Sequence, residues 1–324
     1  MPEAQGVIAE ETIHRRFWSY VQAAAMRHEG LKQCVPTSLR RLCRRILAGE
    51  HDAIPEGVIR HKDGRLLFVG PDRIYWRIYC GLDFEPGPTK LVQSLLGKGD
   101  TVLDVGANFG WYTTIFARQV QNGGRVFAFE PVPAAFEQLQ KNIQINNVGD
   151  RCMLNQMALG STEGTVDLHV FEDLPLSHSS VSDLGRSSFK TFPAPLTTID
   201  RFMESHAVKR VDFFKCDVEG AELAVFYGAA DLLRHKDAPI VMFECNAETS
   251  AAVGWNPNEV IRFLRDCGYD HLFEIDDSGG VARVPFGSNL ELHEKNLVAA
   301  KSKRVLASHV LARGGVSDFG RQAN

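Results

Sequence analysis

No apolar run in this chain approaches the roughly 18 residues needed to cross a bilayer, so no transmembrane helix is expected. Paired cysteines are missing as well. The seven cysteines stand singly at 34, 43, 80, 152, 216, 245 and 267. An odd number without Cys-x-x-Cys spacing argues against both a disulfide framework and a zinc ribbon. They read as small buried hydrophobes in a reducing compartment. Met1-Pro2-Glu3-Ala4-Gln5 lacks the basic start and apolar segment of a secretion signal, and the expected location is the cytoplasm. A strong charge excess is absent too: the formal net charge is −4 over 324 residues. That balance gives no reason to expect a nucleic-acid or membrane partner, and it leaves self-association as a homo-oligomer open. What remains is ordinary globular material, 44% hydrophobic and 23% charged, in a chain long enough for one large domain with an appendage.

The N-terminal part reads as helix at residues 7–28 and as a basic helix at residues 38–48, with Arg40, Arg41, Arg44 and Arg45 around an apolar stripe. A strand-turn-strand pattern follows between Val58 and Tyr79, with Lys62-Asp63-Gly64 as the turn. Pro71-Asp72 marks a further turn. Glu85-Pro86-Gly87-Pro88 breaks the pattern, which places an accessory region at residues 1–84 and the main domain at 85–324. From there strands and helices alternate, the mark of a mostly parallel sheet. Strands are expected at 101–105, 125–129, 152–158, 211–216, 239–244, 269–275 and 297–300, with an added antiparallel strand after Gly164. Residues 172–195, rich in Ser and Pro, read as a long loop. Asn256-Pro257-Asn258-Glu259 supplies an N-cap, an N1 proline and an N3 glutamate for one helix.

The first strand runs into Gly106-Ala107-Asn108-Phe109-Gly110 and then a helix, the arrangement by which an α/β protein brings backbone to a nucleotide-like ligand. A nicotinamide dehydrogenase would carry Gly-x-Gly-x-x-Gly there; the middle glycine is absent, which weakens the pyrophosphate reading. Glu130 ends the second strand twenty residues past Gly110, where a carboxylate can accept bonds from both hydroxyls of a ribose. Turn and carboxylate together fit a nucleoside without phosphates, and S-adenosylmethionine is the obvious candidate. Asp104 would order the turn and reach the methionine ammonium through water. Gly106, Asn108, Gly110, Tyr112 and Pro131 complete the expected cofactor contacts, with Trp111 and Tyr112 packing beside cofactor or core.

With these residues in place, the chain resembles the FkbM-type family of S-adenosylmethionine-dependent methyltransferases. The likeness runs from about Phe84 to Ala300. It rests on Val102–Gly110, Phe129-Glu130-Pro131, Thr197-Thr198-Ile199-Asp200 and, most specifically, Val211-Asp212-Phe213-Phe214-Lys215-Cys216-Asp217-Val218-Glu219-Gly220-Ala221-Glu222. The resemblance implies the Rossmann-like class I methyltransferase fold, a seven-stranded sheet with its last strand antiparallel. It also implies O-methylation of a hydroxyl on a sugar, a glycoconjugate or a natural product. The alternatives are a nucleotide-dependent oxidoreductase on a similar sheet and a non-catalytic module that retains the fold.

A hydroxyl is a weak nucleophile, so a general base should stand near the acceptor. Asp217, Glu219 and Glu222 follow a strand end, where ligands of open α/β sheets bind, and compete for that role. Lys215 can orient or neutralise one of them. The competing reading has Glu219 or Glu222 simply favouring a helix N-terminus. His178, in the Ser-rich loop, is a second base candidate, though a lone loop histidine is more often merely solvated. Glu244 and Asn246 stand where they would touch the acceptor. Mg²⁺ held by strand-end carboxylates is the minority alternative, because nothing spaces them as a dedicated metal cage.

Overall fold

The computed structural model describes residues 56–70, 75–79, 81–171, 179–180, 189–286, 295–307 and 311. The helices expected at 7–28 and 38–48, the Pro71-Asp72 turn and His178 lie outside them. The chain divides into two compact units, residues 1–84 and 85–324. In the first, β1 (Gly57–Arg60) and β2 (Leu66–Val69) form an antiparallel hairpin. Gly64 turns the chain at φ +86°, and Asp63 accepts from both the amide and the side chain of Arg65. A hydrogen bond with His61 and the Arg65 guanidinium hold the Asp63 carboxyl well below the usual range, against the burial that opposes ionisation.

The second unit opens with α1 (Pro86–Leu95), then β3 (Thr101–Val105), α2 (Trp111–Val120), β4 (Arg125–Phe129), α3 (Pro133–Ile145) and β5 (Cys152–Asn155). After an inserted segment come α4 (Ile199–Ser205), β10 (Phe213–Cys216), α5 (Glu222–Tyr227), α6 (Ala230–Arg234) and β11 (Ile240–Cys245). The unit continues through α7 (Ala247–Ala252), α8 (Pro257–Asp266), β12 (His271–Ile275), β13 (Val281–Val284), β14 (Lys295–Ala300) and α9 (Ser302–Ala307). The main sheet runs β13-β12-β14-β11-β10-β3-β4-β5. β3, β4, β5, β10 and β11 pair in parallel, and β14 is inserted antiparallel between β11 and β12. Seven of these strands make the Rossmann-like class I methyltransferase arrangement.

The eighth strand corrects the expected count. β13 folds back on β12 through Asp276–Gly280, where the Asp276 carboxylate accepts from the amides of Ser278 and Gly280, and Gly279 takes φ +85°. A second correction concerns residues 152–197. The expected strand at 152–158 is two pieces: β5 stays in the main sheet, and β6 (Ala158–Leu159) joins a separate sheet of order β6-β9-β7-β8, with the short β8 (Ser179–Ser180) at its far edge. In that sheet β9 (Phe189–Thr197) pairs along its length with β7 (Gly164–Phe171). Its first seven residues, Phe189–Pro195, belong to the Ser- and Pro-rich stretch expected as loop. β6 pairs only with Leu196 and Thr197, so prolines facing the open part of that edge forfeit no ladder bond.

The central strands are buried on both faces and therefore read as continuous apolar runs. Phe214, Phe226 and Phe243 stack edge to face, with centroids 5.5 and 5.6 Å apart, on one side of the sheet. At the N-terminal edge of the sheet Asp212 accepts from the Thr101 amide and from Arg304 of α9, each at 3.1 Å. A charged pair crosses the middle of these apolar strands. Asp104 and Lys215 are register partners on β3 and β10, and both are buried.

Candidate active site

Four strands deliver the site at their C-terminal ends. Behind β3, Gly106 takes φ +74°, Asn108 +50° and Gly110 +87°, so the turn lies largely in the left-handed region where glycine is unstrained. The reason for glycine is nonetheless protein packing. A Cβ on Gly106 would lie 1.7 Å from the Asp217 carbonyl oxygen, and one on Gly110 would lie 2.7 Å from Leu139 Cδ1. The turn is pressed between the β10 loop and α3. From α3 the buried Asn142 donates to the Phe109 carbonyl at 2.7 Å.

Glu130, behind β4, joins two loops. Its carboxylate accepts from the amides of Asn108 and Val132, both at 2.8 Å. Burial pushes this carboxyl up to about 7, although both amide donors favour its ionised form. Pro131 beside it is half-buried. Two occupied lone pairs leave the carboxylate further acceptor capacity, which two ribose hydroxyls would use.

On the other side of Gly106 lies an ionic group. Lys215 Nζ donates to the Gly106 carbonyl at 2.9 Å and stands 3.2 Å from Asp217 Oδ2 and 3.9 Å from Asp104 Oδ1. It also sits 5.3 Å above the Tyr112 ring. Burial disfavours the ammonium, but Asp217, Asp104 and Glu85 hold it above the ordinary lysine range. Asp104 Oδ2 accepts from Thr113 at 2.5 Å, while its fully buried Oδ1 has no hydrogen-bond partner. Burial raises the Asp104 carboxyl even beside Lys215.

The β10 loop separates the three base candidates. Asp217 is about one-third exposed and points at Lys215. Glu222 is buried, accepting from the amides of Val218 at 2.9 Å and Gly220 at 3.3 Å, and burial pushes it up to about 7. It therefore holds the loop together rather than facing out of it. Glu219 takes φ +54° beside Gly220, whose own Cβ would meet the Thr249 carbonyl at 2.5 Å. Glu244, one residue before the end of β11, is half-buried; burial and the carboxylates of Asp217, Glu219, Glu222 and Glu85 push it far up. Asn246 is spent as the N-cap of α7, accepting from the Glu248 and Thr249 amides. Among the described residues no three His, Cys, Asp or Glu side chains are grouped as a metal ion would require. None of their helices is long and apolar enough to cross a membrane.

Tyr112 is buried, and its hydroxyl donates to Glu85 Oε2 at 2.8 Å; Asn296 of β14 reaches Glu85 Oε1 at 3.2 Å. Trp111 is core, donating from Nε1 to Thr89. Sequence reasoning took Glu85 only as part of a chain break. The proline following it at N1 marks it as an N-cap, yet its side chain caps nothing and turns to Tyr112 instead.

The sequence pattern described as the methyltransferase FkbM domain matches residues 104–270, half of the chain and all of this site from Asp104 to Glu244. The chain belongs to the FkbM methyltransferase family. Among relatives, the hexuronic acid methyltransferase AglP of Haloferax volcanii is 29% identical over 194 residues, covering 59% of this chain and 72% of that protein. Methyltransferase 1 of Beauveria bassiana is 26% identical over 147 residues, covering 40% of this chain and 58% of the other. The chain thus spans little more than half of that relative. Among solved structures, an FkbM methyltransferase from Methylobacillus flagellatus aligns at 17% identity over 62% of this chain and 44% of the other, with a TM-score of 0.39.

For this FkbM family member the pH response of Glu130 has a definite sign. The carboxyl titrates near 7 in the protein and near 4.5 when unfolded, so its contribution to stability is full in acid and is lost as pH rises through 7. Ribose hydroxyls donating to Glu130 favour the ionised form, so the affinity for an adenosine-bearing ligand should rise over the same interval. Calorimetry in two buffers of different ionisation heat should record proton release near pH 7. Glu130→Gln should abolish it; release that persists in that variant assigns the proton elsewhere.

Proposed function

We propose that residues 85–324 form an S-adenosylmethionine-dependent O-methyltransferase domain that methylates a hydroxyl of a sugar, glycoconjugate or natural product. The observation that carries this reading is the pair of carboxylates on either side of the Gly106–Gly110 turn. Glu130 suits a ribose, while buried Asp104, whose Oδ1 accepts no hydrogen bond and lies 3.9 Å from Lys215, suits a ligand with cationic groups. A pyrophosphate would meet carboxylates on both sides. The family and the hexuronic acid methyltransferase among its relatives support the transfer and the acceptor class.

When bound, S-adenosylmethionine supplies a methyl group on a sulfonium. The residues of this chain hold and orient it. Glu130 fixes the ribose, the Gly106–Gly110 turn supports the adenosyl group, and Asp104 faces the amino-acid end. Asp217, the partly exposed carboxylate 3.2 Å from Lys215, accepts the proton leaving the acceptor hydroxyl as the oxygen approaches the methyl group. Lys215 holds Asp217 in place and ties it to the Gly106 carbonyl, so base and donor turn share one anchor.

The test is calorimetry with S-adenosylhomocysteine, followed by incubation with methyl-labelled cofactor and a panel of glycans, glycolipids and polyols. Binding should be lost in Glu130→Ala. An absence of binding to the unaltered protein, or unchanged binding in that variant, would count against the reading.

A further inference from the structure

We propose that Asn142 of α3 is a positioning residue for the donor, holding the Gly106–Gly110 turn so that Glu130 meets the ribose hydroxyls. The inference rests on the donor reading above and assigns a role within it. It starts from a polar side chain where the helix needs none. α3 buries Ala135, Phe136, Leu139 and Ile143, an apolar stripe at helical spacing, and Asn142, with no exposed surface, shares that side. A buried carboxamide is costly unless it is bonded, and an apolar residue would pack there without that cost. Asn142 Nδ2 donates to the Phe109 carbonyl at 2.7 Å, across 33 residues of sequence.

That bond lies beside a second one. The Asn108 amide donates to Glu130 Oε2 at 2.8 Å, and the Phe109 amide donates to Asn108 Oδ1 at 2.8 Å. Two consecutive residues are thus gripped from outside the turn, Asn108 at its N–H by Glu130 and Phe109 at its C=O by Asn142. One helix carries both grips. Glu130 stands two residues ahead of Val132, the N-cap of α3, and Asn142 stands ten residues after it, roughly 15 Å along the axis. Leu139, three residues before Asn142 and therefore on its face, closes against Gly110. Between the grips Asn108 takes φ +50°, a conformation that a residue with a side chain keeps where its surroundings impose it. With the Phe109 carbonyl released, Asn108 can relax towards negative φ, which turns its amide away from Glu130. The carboxylate then loses one of the two amide donors that aim it, and its remaining lone pairs no longer stand ready for two hydroxyls.

The experiment crosses this side chain with the ribose hydroxyls. Calorimetry compares S-adenosylhomocysteine with its 2′,3′-dideoxy counterpart in the unaltered protein, in Asn142→Leu and in Asn142→Ser. Leucine over-fills the site and serine under-fills it, so a selective loss common to both is not an effect of packing. The unaltered protein should favour the hydroxyl-bearing ligand by about tenfold or more. Both variants should weaken S-adenosylhomocysteine by about tenfold and leave the dideoxy ligand within about twofold. Equal losses for the two ligands would make Asn142 a merely structural residue and overturn the proposal, as would unchanged affinity for both. Amide exchange followed by NMR needs no variant: the Asn108 amide should be protected before any ligand is added. Exchange there at the rate of an open loop would overturn the proposal even if neither variant folds. An unaltered protein that binds neither ligand, or binds the two equally, would instead overturn the donor reading itself.

Discussion

Asp217→Asn should lower kcat by about 10²–10⁴-fold, the range for loss of a positioned general base. S-adenosylhomocysteine affinity should stay within a few-fold. The substitution keeps the shape of the side chain and its partial exposure, so the amide still fits beside Lys215. What it removes is the ability to accept the acceptor's proton. Steady-state and single-turnover rates, together with calorimetry, separate the two effects. Turnover that survives in this variant would assign the proton to another group. Glu222→Gln is the informative contrast. Glu222 is buried against the amides of Val218 and Gly220, so its loss should show first as reduced thermal stability.

Lys215→Met should destabilise the fold by about 3–5 kcal/mol, the cost of stripping the partner from buried charge. For a domain of this size that is a fall in Tm of about 6–20 °C. The size of the effect follows from its position: one buried ammonium stands 3.2 Å from Asp217 and 3.9 Å from Asp104, and it donates to the Gly106 carbonyl as well. The sign with pH is specific. With the ammonium gone, the Asp104 carboxyl, already raised by burial, rises further, so the variant recovers stability as acid protonates it and loses more as pH increases. Adding Asp104→Asn should restore part of the lost Tm. Equal Tm values for Lys215→Met and the unaltered protein at pH 8 would refute this account of the core charges.

The alternating sheet was legible because its central strands are buried on both faces and so stand out as apolar runs between turn residues. The capping box of Asn256 and Glu259 marked the start of α8 for the same local reason, and it forms as read. The place of Glu130 just behind β4 was legible from the strand pattern, while its bond to the Asn108 amide was not. What stayed hidden depends on contacts distant in sequence. The Lys215 bond to Gly106 spans 109 residues, and the Asn296 bond to Glu85 spans 211. No local pattern encodes either. Prolines concealed β9, because a missing donor matters only where a neighbouring strand needs it. The Asp276 turn was a plain miss: Asp-Asp-Ser-Gly-Gly is strong turn chemistry, and β13 follows it.

Asp212 and Arg304 fasten the sheet at the edge away from all of this chemistry. Selection for a new acceptor can therefore rework the opposite rim, and the inserted sheet of β6 to β9, without loosening that clasp. In this chain the parts that hold the sheet closed and the parts that face the site are thus different parts, joined through the strands between them.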